Sequence, residues 1–327
     1  MSKVNFAMVG TGLMADLILK DFALAQNVNL SALVSREPSR AEAKLAELNI
    51  EARALSFENA IADAEIDLIY IASPHSEHFW MAKAALEAGK HILVEKAFMN
   101  SAAEAIEVFS IAREKGLFAM EAMWTKFLPL HNHLKELVES GAIGELRLIE
   151  ANFGFPRTYD TSHRLFSAEL GGGSSLDQGV YTTSLNRWFA DAKISKISTT
   201  GFNYPNGTDA TAMTDFEFEN GVRGRGNSSL ATAFGLAARI CGDKAIIEID
   251  EAFWNSSTAR IKRYVVDTDR FETEEINVPK TGSGYVHMLE AVANSVLAGE
   301  VENSSHTHQF TIEVMTALDE IRKQIRD

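Results

Sequence analysis

The sequence predicts an α/β protein of two domains. Residues 1–121 read as a doubly wound parallel sheet, and 122–327 as an α+β domain with an open, mostly antiparallel sheet and helices on one face. Three observations carry this. Strand and helix patterns alternate with short loops through the first third, as repeated βα units do. A glycine-rich turn, "VGTGLMA", closes the first strand. After about residue 121 the alternation stops, and from Lys193 to about Pro279 the chain is strand-rich before helices return.

The elements follow in order. "VNFAMVG" is a short apolar run ending in glycine, and "LMADLILKDFALA" has helical spacing of apolar residues. "VNLSALVS" is a second strand. "EPSRAEAKLAELN" starts with Pro38, which suits a helix N-terminus because its missing N–H costs nothing there. "IDLIYIAS" is a nearly continuous apolar run, expected of a strand covered on both faces. "SEHFWMAKAALEAGK" is a helix ending at Gly89, and "HILVE" a strand. "SAAEAIEVFSIAREKG" carries a capping box, Ser101 with Glu104, and ends at Gly116 before "LFAME". Beyond residue 121 come the helix "LPLHNHLKELVESG", a strand near "ELRLIEANF", and a glycine turn into the helix of "LGGGSSLDQGVYTTSLNRWFA". Turns at "NYPNG", "ENG" and "CGD" mark antiparallel hairpins, and "YVHMLEAVANSVLAG" and "THQFTIEVMTALDEIRKQI" are closing helices.

Composition excludes several classes. At 327 residues two ordinary cores are expected, with no metal or disulfide staple. The single cysteine, Cys241, cannot form an intrachain disulfide, and no Cys/His cluster has zinc spacing, so no metal site is expected. A net charge of −14 argues against nonspecific nucleic-acid binding. No run of about 18 apolar residues exists to span a membrane, and the start lacks a signal-peptide pattern. A soluble, cytoplasmic protein acting on a small molecule is expected.

Gly10, Gly12 and Ala15 form the G-x-G-x-x-A version of the dinucleotide fingerprint. Gly10 permits the tight turn. Gly12 lets the backbone approach a pyrophosphate, with Thr11, Leu13 and Met14 around it, where helix N–H groups favour an anion. At the tip of the second strand, "LVSREPSR" places Ser35 and Arg36, with Arg40 four residues on. A guanidinium grips a 2′-phosphate that a carboxylate would repel, so NADP is expected rather than NAD. The other reading makes Arg36 a solvated loop residue and Glu37 the ribose ligand. In such sheets ligands bind beyond the carboxyl ends of the strands. Ala72, Ser73 and Pro74 follow one such strand, and Glu95 and Lys96 follow another.

"GTGLMA", "ASPHSEH", "AGKHILVEKAFMNS" and "GGGSSLDQGVY", in this order, resemble the glucose–fructose oxidoreductase/inositol dehydrogenase (Gfo/Idh/MocA) family over essentially the whole chain. "EAMWTKFLPL", "HRLF" and "LGGGSSLDQGVY" are most similar to the branch of dimeric dihydrodiol dehydrogenases and glucose–fructose oxidoreductase. The resemblance implies a Rossmann domain, NADP, and a C-terminal sheet that forms a homodimer or homotetramer interface. It implies that the family's Glu-Lys is Glu95-Lys96, followed here by Ala97 where proline is usual. It also implies that the later D-x-x-x-H/Y element is Asp177 and Tyr181. Four residues on a helix would bring these two to one face.

The chemistry expected is hydride transfer between nicotinamide C4 and a carbinol or carbonyl carbon of a sugar, polyol or vicinal diol. Tyr181 exchanges the proton on oxygen. A free tyrosine titrates near ~10, so it needs a cation nearby, and Lys96 supplies one. Trp124 is expected either beside the nicotinamide or in the core, and His78 at the cofactor edge or in a structural role. Arg164 and Phe155 are candidate substrate contacts. "HTH", His306 to His308, reads as helix capping. The alternative function is a catalytically silent NADP-binding regulatory protein.

Overall fold

The computed structural model describes residues 3–326. The chain divides into two compact units, Met1–Phe127 with Thr281–Ile312 and Leu128–Lys280 with Glu313–Asp327.

The first unit opens with β1 (Val4–Val9), α1 (Leu13–Phe22), β2 (Val28–Val34), α2 (Pro38–Leu48), β3 (Arg53–Leu55) and α3 (Phe57–Ala62). It continues with β4 (Leu68–Ile71), α4 (His75–Glu87), β5 (His91–Val94), α5 (Ala102–Lys115) and β6 (Ala119–Glu121). The sheet order is β3-β2-β1-β4-β5-β6 with every pair parallel, so the winding reverses between β1 and β4. β4 is buried along its whole length, as its unbroken apolar run requires. The capping box forms with one change. Ser101 Oγ accepts from the Glu104 N–H at 3.3 Å, but the Glu104 carboxylate accepts from Asn100 N–H at 3.0 Å, one residue upstream of the expected partner. β3 and α3 lie in a stretch that the sequence pattern leaves unassigned.

The second unit holds α6 (Pro129–Glu139), β7 (Leu146–Gly154), a π-helical turn (Ser175–Gly179) and α7 (Val180–Ala190). β8 (Ile194–Asn203), β9 (Asp209–Phe218), β10 (Arg223–Ser229), β11 (Ala238–Gly242), β12 (Ala245–Ile249), β13 (Thr258–Val265) and β14 (Arg270–Asn277) complete its sheet. The order is β14-β13-β12-β11-β7-β10-β9-β8, and its neighbours are antiparallel except β7 and β10, which run parallel. The expected fold class is therefore the observed one.

α7 lies tightly on β10 because "RGRG" puts glycines on the inward positions. A Cβ at Gly224 would meet Asn186 Oδ1 at 2.4 Å, and one at Gly226 would meet Thr182 Oγ1 at 3.0 Å. The chain then returns to the first unit with α8 (Tyr285–Leu297), which packs on α1, β1 and β2. The Asp21 carboxylate on α1 accepts from the N–H groups of Ser283 (2.9 Å) and Tyr285 (2.8 Å) and so fixes the start of α8. α9 (His308–Arg326) is the last element. In its second-unit part, Gln324 bonds the backbone of Ile197 (3.1 Å) and Thr199 (2.7 Å) on β8. Among the described residues no helix is long and apolar enough to cross a membrane.

Candidate active-site residues

The first unit carries a dinucleotide cradle. Gly10 has φ 119, and a Cβ there would meet the Ala72 carbonyl oxygen at 2.6 Å, so only glycine lets the β1 turn close on the loop after β4. A Cβ on Gly12 would meet nothing within 4 Å, and Gly12 caps α1 with no side-chain hydrogen bond. An open approach to a ten-residue helix start with no side-chain cap is what a pyrophosphate requires, so these residues fit the cofactor. Thr11 is half-buried and Met14 exposed beside this turn, and the Leu13 side chain lies outside the described residues. Ser35 is half-buried at the tip of β2, with Arg36, Glu37 and Arg40 exposed around the start of α2. Ala72 and Ser73 are half-buried and Pro74 is exposed before α4.

Lys96 follows β5 in a turn whose backbone is held on four sides. Its N–H donates to Glu95 Oε2 (3.2 Å), and its carbonyl lies 3.1 Å from His75 Nε2. Two residues on, the Phe98 N–H donates to Glu121 Oε1 (3.1 Å), and the Phe98 carbonyl lies 3.1 Å from His78 Nδ1. Lys96 itself is half-buried, and Ala97 is buried behind a cis peptide.

Three of these side chains make internal contacts. His78 is fully buried, with Nε2 3.0 Å from the Ser73 carbonyl, so it ties the loop after β4 to the Lys96 turn, the structural role of the two expected; burial holds its pKa below the usual histidine value. Glu95 is buried and accepts from the Tyr70 hydroxyl at 2.5 Å, so its carboxylate is committed to internal bonds. Burial raises its pKa, against the hydrogen bond from Tyr70. Trp124 is buried and stacks on Tyr285 with ring centroids 4.5 Å apart, the core packing that was one of its two expected roles. "AGKH" is structural too. Lys90 Nζ donates to the carbonyls of Asp63 (2.6 Å) and Ile66 (2.7 Å), and His91 Nδ1 accepts from the Phe118 N–H.

The second unit carries Tyr181 in the first turn of α7. Its ring is 7% exposed and lies 5.6 Å from Phe153 and 6.2 Å from Trp254. Phe153 and Trp254 are themselves stacked at 3.6 Å. The motif reading did not single out either ring, because β7 and the Phe253–Asn255 turn are about a hundred residues apart in sequence. Asp177 is not on a regular α-helix with Tyr181, since the π-helical turn intervenes; its carboxylate meets Arg164 at 3.3 Å. Phe155 is half-buried, tilted against Phe153, with the Arg157 guanidinium 4.6 Å from its ring. The π-helical turn is anchored by Asp209, which accepts from Ser174 Oγ (2.9 Å) and the Ser175 N–H (2.6 Å). Asp209 also escaped the sequence reading, which marks only the "NYPNG" turn just before it. Lys96 belongs to the first unit and Tyr181, Asp177, Arg164 and Phe155 to the second. Among the described residues no group of three His, Cys, Asp or Glu side chains is placed to hold a metal.

Comparison with known proteins bears on both units. Residues 4–123 match the model of the oxidoreductase family with an NAD-binding Rossmann fold, and residues 131–248 match the GFO/IDH/MocA C-terminal domain. A trans-1,2-dihydrobenzene-1,2-diol dehydrogenase of Mus musculus is 34% identical over 67% of this chain and 66% of its own. A D-xylose 1-dehydrogenase (NADP(+)) of Hypocrea jecorina is 30% identical over 82% of this chain and 75% of its own. The crystal structure of aldose-aldose oxidoreductase from Caulobacter crescentus, complexed with glycerol, superposes with a TM-score of 0.88 at 21% identity, over 99% of this chain and 98% of that one. With a fingerprint turn that fits a dinucleotide, a sheet that reverses at β1 and β4, and both domain models matched, this chain belongs to the GFO/IDH/MocA family of oxidoreductases.

Proposed function

We propose that the protein is an NADP-dependent oxidoreductase of a sugar, polyol or vicinal diol, with Tyr181 as acid/base and Lys96 as its electrostatic partner. The observation that carries this reading is the setting of Tyr181. A phenol in the first turn of α7 faces the stacked pair of Phe153 and Trp254, which suits a cyclic substrate with an apolar face and a reacting hydroxyl. The names of the diol and D-xylose relatives support the same substrate class.

A nicotinamide held by the first unit supplies the hydride acceptor or donor. In oxidation, Tyr181 takes the hydroxyl proton as the carbinol C–H leaves with its electron pair. The Lys96 ammonium stabilises negative charge on that oxygen. In reduction, Tyr181 returns the proton. Asp177 holds Arg164, which is half-exposed and has N–H groups to offer a substrate hydroxyl. Ser35, Arg36 and Arg40 at the tip of β2 receive a 2′-phosphate, and the NADP(+) in the name of the D-xylose relative agrees with that preference.

The reading extends to self-association. The outer face of the second unit's sheet carries one row across seven strands: Asp215, Arg225, Glu150, Arg239, Glu248, Arg260 and Glu275. Strict alternation of sign lets a second copy of the same face, shifted by one strand, set three carboxylates of each row against three guanidinium groups of the other. A homodimer or homotetramer through this face follows.

The test is a panel of aldoses, polyols and trans-diols with NADP(+) and NAD(+), run on wild type and Tyr181→Phe. Wild type turns over at least one substrate class, and Tyr181→Phe loses about 10²–10⁴-fold in kcat while still quenching with NADPH. Near-wild-type turnover by Tyr181→Phe removes the residue from the chemistry.

A further inference from the structure

Glu121 ends β6 beside Val94 of β5, so it lies at the carboxyl edge of the sheet next to the Glu95-Lys96 turn. It is 0% exposed. Burying a carboxylate costs several kcal/mol unless its oxygens are bonded, and here both are. Oε1 accepts from the Phe98 N–H at 3.1 Å. Oε2 accepts from Thr311 Oγ1 at 3.2 Å and lies 3.2 Å from His306 Nε2, which is also 3.0 Å from Thr311 Oγ1. Those distances assign the N–H of His306 to Nε2. Its Nδ1 is buried with no hydrogen-bond partner among the described residues, as suits a neutral ring. The Lys126 ammonium sits over the Phe310 ring, 3.6 Å from its centroid, one residue from Thr311. "HTH" is therefore more than a helix start, since His306 and Thr311 hold Glu121 from a segment far along the chain.

An apolar residue would fill the end of β6 at lower cost, so the carboxylate needs a reason. Among the bonds named above, the two from histidines come from α4, the one to Glu95 stays within the turn, and the one to Glu121 ties the turn to β6. We infer that Glu121, held by His306 and Thr311, is a positioning residue that fixes the Lys96 turn for catalysis; this rests on the role proposed for Lys96 above. Glu121 touches neither cofactor nor substrate in this scheme. It acts through the backbone of Phe98, and a small shift of that turn carries Lys96 away from the oxygen it stabilises.

The experiment compares Glu121→Ala, Glu121→Gln and Thr311→Val in the full chain. Glutamine keeps an acceptor for the Phe98 N–H, so Glu121→Gln stays within about threefold of wild-type kcat, whereas Glu121→Ala falls about 30-fold with the KM for NADP changed by less than about twofold. Thr311→Val, which leaves no cavity, loses about threefold and serves if Glu121→Ala does not fold. A second readout needs no substrate: acylation of Lys96 by an N-hydroxysuccinimide ester, read by peptide mass spectrometry against exposed Lys196. Its rate changes about threefold or more in Glu121→Ala and about twofold in Thr311→Val, but not in Glu121→Gln. Unchanged kcat per folded molecule and unchanged Lys96 labelling in the alanine or valine variant, with only a lower Tm, overturn the inference. Absence of wild-type turnover on the whole panel overturns the proposed function instead, and the labelling then decides the place of Glu121 by itself.

Discussion

The turn bearing Lys96 and the turn leading to Tyr181 are built in the same way from different parts. Each is held by one buried carboxylate that accepts a backbone N–H: Glu121 from Phe98, and Asp209 from Ser175. In the first unit the other donors are a threonine and a histidine, drawn from 190 and 185 residues away. In the second unit they are serines: Ser174 Oγ on Asp209, with Ser228 Oγ donating to Ser174 Oγ at 3.3 Å. Gln178 Oε1 extends that network by accepting from the Ser229 N–H at 3.1 Å. The first brace contains a titratable ring and the second does not. Shape at the second is set instead by glycine. A Cβ at Gly173, which has φ 114, would meet Asp209 Oδ1 at 2.1 Å. One geometric task, fixing the loop beside a candidate side chain, is met by long-range polar contacts in one unit and by close backbone approach in the other.

The largest effect that breaks the comparison is expected from Asp209→Ala. Two buried donors lose their acceptor, so stability falls by about 3 kcal/mol. Turnover drops with it, while NADPH binding, a property of the first unit, is retained; loss of NADPH affinity would show that the two braces are not independent. Acid sharpens the contrast next. Burial holds His131 on α6 at about 4, below the free imidazole value of 6.5. A depressed histidine adds stability that is complete above the unfolded pKa and is lost as pH falls from 6.5 through about 4. Near pH 5 the loss is about 2 kcal/mol. His131→Leu should shrink the difference in urea midpoint between pH 7 and pH 5 by that amount, and an undiminished difference means that the ring is not held neutral. His306 and His78 are shifted in the same direction by burial, so acid also weakens the first unit. The smallest effect is Arg36→Ala, which lowers the preference for NADP over NAD about tenfold, or about 1.4 kcal/mol. An unchanged ratio hands the ribose to Glu37.

Periodic and terminal signals were legible in the sequence. The apolar runs of β1, β4 and β5, Pro38 at the start of α2, and the Ser101 cap all became the elements expected of them. β3 was not, because three residues with intermediate or full exposure show no alternation. The β9–β10 hairpin was legible from "ENG", but the parallel pairing of β10 with β7 joins strands about 75 residues apart, and no local pattern encodes that register. The Asp177–Tyr181 spacing suggested a regular helix and met a π-helical turn, whose start is bonded by Asp209 from outside the motif. Glu121 did leave a signal. "LFAME" ends an apolar strand on a charge, as "HILVE" does, but the motif drew attention to one and not the other.

The reach of that brace also sets an order of events during synthesis. Glu121 and Thr311 are 190 residues apart, which at roughly 5–20 residues per second is about 10–40 seconds of elongation. Through that interval the nascent chain holds a sheet whose carboxylate at the end of β6 still awaits two of its donors. The bond from Thr311 can form only once the start of α9 has been made, so this tie on the Lys96 turn is among the late contacts of the first unit.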